Sequence, residues 1–250
     1  MTAMSEQDLR RELAAAYRLI AHFRMTDLIF THISMRLPGP EHHFLINPYG
    51  LMFEEITASS LVKIDLQGKV VEDSPYPVNP AGFVIHSAIH AARPDALCVM
   101  HTHSRAGCAV AAQSGGLLPV SQLSMEFYHR VGYHDYEGVA LNLDEQKRLV
   151  ASLGGHYALI LRNHGLLTVG ESVQQAFMRM YYLDKGCEIQ LAAQAGGGPL
   201  TIPPPEVCEH SAKQITGEEV GDDFDDSAAY PLAWAALLRL LERLDPSYAT

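Results

Sequence analysis

At 250 residues, 48% of them hydrophobic, the chain can support one substantial core, with or without an appended tail. Its 18 Lys and Arg against 29 Asp and Glu leave a net charge of −11, which repels phosphate backbones and argues against a nucleic-acid partner. No stretch reaches the roughly 18 uncharged apolar residues of a membrane span. Met1 to Arg11 lacks an apolar signal segment, and Cys98, Cys108, Cys187 and Cys208 form no CxxC pair, so the expectation is a cytoplasmic protein with reduced thiols and no membrane partner.

Ser5 with Asp8 three residues later reads as a helix N-cap. Leu9, Leu13, Ala16, Tyr17 and Ile20 recur at helical spacing and predict a helix from about Glu6 to Phe23. Ile29 to Arg36, Phe44 to Asn47 and Leu61 to Asp65 read as short strands, with turns at Pro38-Gly39-Pro40, Asn47-Pro48-Tyr49-Gly50 and Gln67-Gly68. Asn79-Pro80 opens a helix to about Ala92, before Pro94. The apolar run Ala96 to Met100 reads as a buried strand that delivers His101-Thr102-His103. A helix from Arg105 to Gln113 ends at Gly115-Gly116, Val120 to Leu123 reads as a further strand, and Tyr133, His134 and Tyr136 as loop residues at a site or an interface. Asp144 caps a helix to Leu153, and Ala158 to Leu161 is a second buried strand, delivering Arg162-Asn163-His164-Gly165. Ser172 then caps a long helix to Ala195.

Gly196-Gly197-Gly198-Pro199 and Pro203-Pro204-Pro205 place a boundary near residue 200. Residues 1–200 form the expected domain. Residues 201–250 form a tail with acidic runs (Glu218-Glu219, Asp222 to Asp226) and a last helix, about Pro231 to Leu244. The apolar face of that helix, starting at Trp234, must dock on the parent core or a neighbouring subunit. Strands and helices mix without a strict βαβ rhythm, which predicts an α/β fold: a three-layer α/β/α sandwich with a central, mostly antiparallel or mixed sheet. No GxGxxG follows a strand and no GxxxxGK[ST] is present, so nucleotide binding has no motif support.

Residues two apart on a strand share a face, so His101 and His103 project together. His164, at the end of another buried strand, can complete a three-imidazole metal site; such a set with an open position is catalytic rather than structural. The plain alternative is strand-end histidines bonded to backbone. His86 reads as packed beneath the site or as a partner to it.

The segments Asn47-Pro48-Tyr49-Gly50-Leu51, Asn79-Pro80-Ala81-Gly82-Phe83-Val84-Ile85-His86, Ala91-Ala92-Arg93-Pro94-Asp95, His101-Thr102-His103 and Leu161-Arg162-Asn163-His164-Gly165 together resemble the class II aldolase/adducin family over roughly residues 8 to 197. Glu54 to Ile64 and Tyr133-His134-Asp135-Tyr136 are of the type found in the adducin head domain and its bacterial relatives. The resemblance implies the same three-layer sandwich, a homotetramer with active sites between subunits, and a divalent metal on His101, His103 and His164. Zinc is the first expectation, with iron, manganese or cobalt as alternatives.

Departures from the family pattern matter as much. Pro80-Ala81-Gly82 stands where sugar-phosphate aldolases carry a Ser-Ser-Glu run for phosphate contacts and acid/base work, and Phe30-Thr31-His32-Ile33-Ser34 replaces a glycine-asparagine phosphate loop. The expected activity is therefore lyase chemistry (carbon–carbon cleavage, decarboxylation or dehydration) on a small, non-phosphorylated, oxygenated substrate. Glu126 is the candidate proton shuttle, with a solvated glutamate as the plain alternative. Asn47, Tyr49, Gly50, Asn79 and Arg162 are candidate substrate contacts, for which a turn, a helix cap and an interface anchor are the bland readings. A non-haem iron oxygenase on the same three histidines and a non-enzymatic adducin-like scaffold are the rival functions.

Overall fold

A computed structural model of the chain describes residues 4–138, 144–218 and 229–250. Glu219 and Asp222 to Asp226, part of the expected acidic runs, lie outside the described residues.

Seven strands form one sheet: β1 (His32–Arg36), β2 (Phe44–Ile46), β3 (Val62–Ile64), β4 (Cys98–Thr102), β5 (Val131–His134), β6 (Ala158–Leu161) and β7 (Gly165–Gly170). Their spatial order is β3-β2-β1-β4-β7-β6-β5. All neighbours run antiparallel except β5 and β6, so the sheet is mixed, as the lack of a strict βαβ rhythm predicts.

Helices cover both faces. The larger layer holds α1 (Glu6–His22), α3 (Arg105–Ala111), α6 (Val173–Ala195) and α8 (Tyr230–Leu244), packed around Leu13, Tyr17, Ile20, Phe177, Leu183 and Trp234. The opposite layer holds α2 (Pro80–Ala92) and α5 (Glu145–Leu153), where Ile85, Ile89 and Leu149 meet Val99, Leu159 and Leu167. Alternation along β4 divides the two cores: Cys98 and Met100 face α6, and Val99 faces α2.

Local chemistry accounts for the ends. Ser5 and Asp8 form a reciprocal capping box on α1, worth about 1 kcal/mol. Ser104 and Ser172 cap α3 and α6. Several expectations are corrected. Residues 120–123 do not form a strand: Ser121 and Ser124 cap one another and start the short helix α4 (Gln122–Met125). The expected loop at Tyr133 and His134 is β5, which pairs in parallel with β6. The first strand starts at His32 rather than Ile29, because Leu28 and Thr31 take positive φ (49° and 80°). Pro205 begins a helix, α7 (Pro205–Thr216), since proline at the first helical position loses no intrahelical bond.

The apolar face of α8 docks on its own chain. Trp234 is buried, its Nε1 donates to Glu12 of α1 at 2.6 Å, and its ring lies 5.5 Å from that of Phe177.

Candidate metal centre

The antiparallel β4 and β7 bring two stretches of backbone to one end of the sheet. His101 is the fourth residue of β4, and His103 follows it by two. β6 and β7 form a tight hairpin in which Leu161 pairs with Gly165, leaving a three-residue loop, Arg162-Asn163-His164. Asn163 takes φ 55° there, at the third position of a turn closed by His164 N–H to the Leu161 carbonyl oxygen, and this turn carries His164 towards the β4 histidines. Gly165 is also fixed sterically: a Cβ would fall 2.4 Å from the Thr102 carbonyl oxygen and 3.1 Å from the His103 ring.

The three rings converge. Their centroids are 4.7 Å apart for His101–His103, 4.7 Å for His101–His164 and 4.8 Å for His103–His164, and one nitrogen from each lies within 4.8 Å of the others. His101 Nδ1 sits 2.9 Å from the Leu166 carbonyl oxygen, which can only accept, so Nδ1 carries the proton. His103 Nδ1 lies 2.9 Å from the Asp27 carboxylate and is a donor for the same reason. In their neutral forms both Nε2 atoms are therefore bare lone pairs, yet they face each other at 2.9 Å. Two lone pairs at that distance repel unless a proton is shared between them or a metal ion bound to both draws on them. This donor set fits a divalent ion, with imidazole ligands orientated by a carbonyl and a carboxylate.

Electrostatics agree. Burial first, then the neighbouring imidazoles, hold His101 well below the ordinary histidine range and bring His164 down to about 4. Both are neutral, as ligands must be, at physiological pH.

The other sequence candidates scatter. Glu126 is the C-cap of α4, on the α6 side of the sheet and near the start of β5 and β6, whereas the triad lies where β4 and β6 end. It is 4% exposed, its Oε1 accepts from the Tyr230 hydroxyl at 3.0 Å, and its carbonyl accepts from the Tyr157 hydroxyl at 2.9 Å. Within one chain, then, Glu126 is not brought to the triad. Arg162 does not share a strand face with His164, because the loop interrupts the alternation. Its guanidinium donates to the Gln113 carbonyl at 2.6 Å and lies over the Tyr133 ring at 4.3 Å. Asn47 is buried on the α1 side, its backbone N–H and Oδ1 both 3.0 Å from the Tyr17 hydroxyl. Tyr49 and Gly50 form a turn, tied by Tyr49 N–H to the Pro77 carbonyl, with Gly50 at φ 112°. Asn79 directly precedes α2.

Sequence reading missed two residues beside the triad. Asp27 belongs to an irregular turn, and no local pattern links it to His103. His32 pairs with His101 across β1 and β4, with ring centroids 5.1 Å apart. A Cβ on Gly82 would fall 2.7 Å from His32 Cδ2, so the glycine leaves room for this ring. Two signals pointed to it: His32 and Ser34 alternate on a strand, and His86 and His90 stand four apart on a helix.

A family model described as Class II Aldolase and Adducin N-terminal domain matches residues 11–191. A crystal structure of an aldolase II superfamily protein from Pseudomonas syringae is 50% identical, covers 100% of this chain and 98% of its own, and superposes with a TM-score of 0.91. An L-fuculose 1-phosphate aldolase from Glaciozyma antarctica is 29% identical over 99% of this chain and 96% of its own, with a TM-score of 0.84. Alpha-adducin of Rattus norvegicus is 42% identical over 96% of this chain, which corresponds to 34% of the adducin.

Proposed function

The chain belongs to the class II aldolase and adducin family, and on that premise we propose that it is a divalent-metal-dependent lyase. It acts on a small, oxygenated, non-phosphorylated substrate by carbon–carbon cleavage, decarboxylation or dehydration. The observation that carries this reading is the pair of facing Nε2 lone pairs on His101 and His103, joined by His164, with both Nδ1 protons committed elsewhere.

His101, His103 and His164 would hold the ion, zinc in the first instance. When bound, it supplies Lewis-acid stabilisation of the negative charge that develops on a substrate oxygen. The chain's own groups do the rest. Asp27 and the Leu166 carbonyl fix the orientation and tautomer of two ligands. Pro80-Ala81-Gly82 offers neither hydroxyls nor a carboxylate at the start of α2, which disfavours a phosphorylated substrate. The proposed working form is a cytoplasmic homotetramer with a site completed at a subunit boundary.

Elemental analysis of the native protein, followed by a turnover screen of hydroxy-keto acids and aromatic hydroxy acids with the ion found, tests the proposal. Stoichiometric zinc with lyase turnover, both lost in His101→Ala/His103→Ala, is the expected result. Iron retained after anaerobic purification, with oxygen consumption, would point to the oxygenase. A native protein without metal, whose fold and partners ignore the double substitution, would leave the adducin-like scaffold.

A further inference from the structure

Behind the triad, β1 and α2 enclose a line of buried polar groups between His32 and the Ala96 carbonyl. His32, Ser34, His86 and His90 are all at most 3% exposed. His90, at the end remote from the triad, is brought down to about 3 by burial, with Arg36 adding to the effect.

For neutral rings the far end of the line sets every proton in it. His90 Nδ1 lies 2.9 Å from the Ala96 carbonyl oxygen, which cannot donate, so Nδ1 is protonated and Nε2 is bare. The Ser34 hydroxyl, 2.7 Å from that Nε2, must donate to it. Ser34 Oγ has then spent its only proton and accepts from His86 Nδ1 at 2.6 Å. His86 is left with a bare Nε2, to which His32 Nδ1 donates at 2.8 Å. His32 therefore ends the line as the Nδ1–H tautomer, and its Nε2 lone pair has no hydrogen-bond partner among the described residues. Its ring is pinned between His101 on one side and Gly82 on the other.

We propose that His32 is a fixed hydrogen-bond acceptor beside the triad, its Nε2 taking the hydroxyl proton of a bound ligand, so that the site selects hydroxylated ligands. The proposal rests on the metal-site reading only for the place of the ligand. Ser34, His86 and His90 are positioning residues: they hold the proton on His32 Nδ1 and keep Nε2 from acting as a donor. A bound ligand that covers this acceptor without offering a hydroxyl leaves it unpaired, and sites of that kind discriminate strongly.

The test uses the whole protein, 15N-labelled. In the metal-free chain, long-range proton–nitrogen correlation should show pyrrole-type Nδ1 and pyridine-type Nε2 for His32, His86 and His90. A protonated Nε2 on His32, or a tautomer mixture, would overturn the inference without reference to metal. In the zinc-loaded chain, glycolate should move the His32 Nε2 resonance and bind about tenfold more tightly than acetate. In Ser34→Ala, zinc affinity should persist while most of that preference and the single tautomer are lost; preference and tautomer unchanged would refute the positioning line. Zinc failing to bind the unaltered chain would overturn the metal reading and with it the ligand's place. Zinc binding while glycolate leaves His32 Nε2 unmoved would overturn this inference alone.

Discussion

Mild acid should destabilise this protein, and the buried imidazoles set the direction of the effect. His90 has an ordinary value of 6.5 and is brought to about 3 in the fold, chiefly by burial. A histidine whose folded value is depressed has no effect on stability while both states are neutral. It opposes folding as pH falls through 6.5, because the unfolded chain takes up the proton and the folded chain does not. Lowering the pH from 7 to 5 therefore costs about 2 kcal/mol for His90 alone. His32 and His86, held down chiefly by burial as well, add to the loss in the same direction. Urea unfolding of metal-free protein at pH 7, 6 and 5 should show the midpoint falling steeply. His90→Gln, whose amide can donate to Ala96 and accept from Ser34, should reduce the dependence by one proton, or about 1.4 kcal/mol per pH unit below 6. Stability that stays flat from pH 7 to 5 would refute the claim that these rings are buried neutral.

Asp27→Ala should weaken metal binding about 10- to 100-fold by releasing His103, as read by competition with a chelator, while the fold by circular dichroism is unchanged. Glu126→Gln should keep both metal and turnover, because its side chain accepts a hydrogen bond from Tyr230 far from the triad; a collapse of turnover with the fold intact would restore it as a proton carrier. Trp234→Phe should cost about 1 to 3 kcal/mol in denaturant unfolding, since it removes the 2.6 Å bond to a Glu12 already raised by burial and leaves that carboxylate without its indole donor.

Local rules carried far along this chain. The capped starts of α1, α3 and α6 and the buried strands β4 and β6 follow from caps and apolar runs that act within a few residues. The spacing of His101 and His103 on one strand made their pairing legible. Strand β5 was not legible, because Val131 to His134 is short and gains its identity only by pairing with β6, twenty-seven residues later in register. Nor was α7, which three prolines concealed.

The residues of the chain by themselves determined which groups are available for chemistry: three imidazoles on two strand ends, no carboxylate at position 82, an alternating His32 and Ser34, and a His86 and His90 four apart. Only the tertiary structure decided which of these meet. The β1–β4 pairing sets His32 beside His101, and the Leu166 and Ala96 carbonyls fix which nitrogen of each neighbouring ring carries a proton. The same packing places Glu126 against α8, on the α6 side of the sheet, where Tyr230 donates to it. A side chain's reach is a few ångströms, while the contacts that orientate a ligand join residues dozens of positions apart, so their partners become known only when the backbone has closed around them.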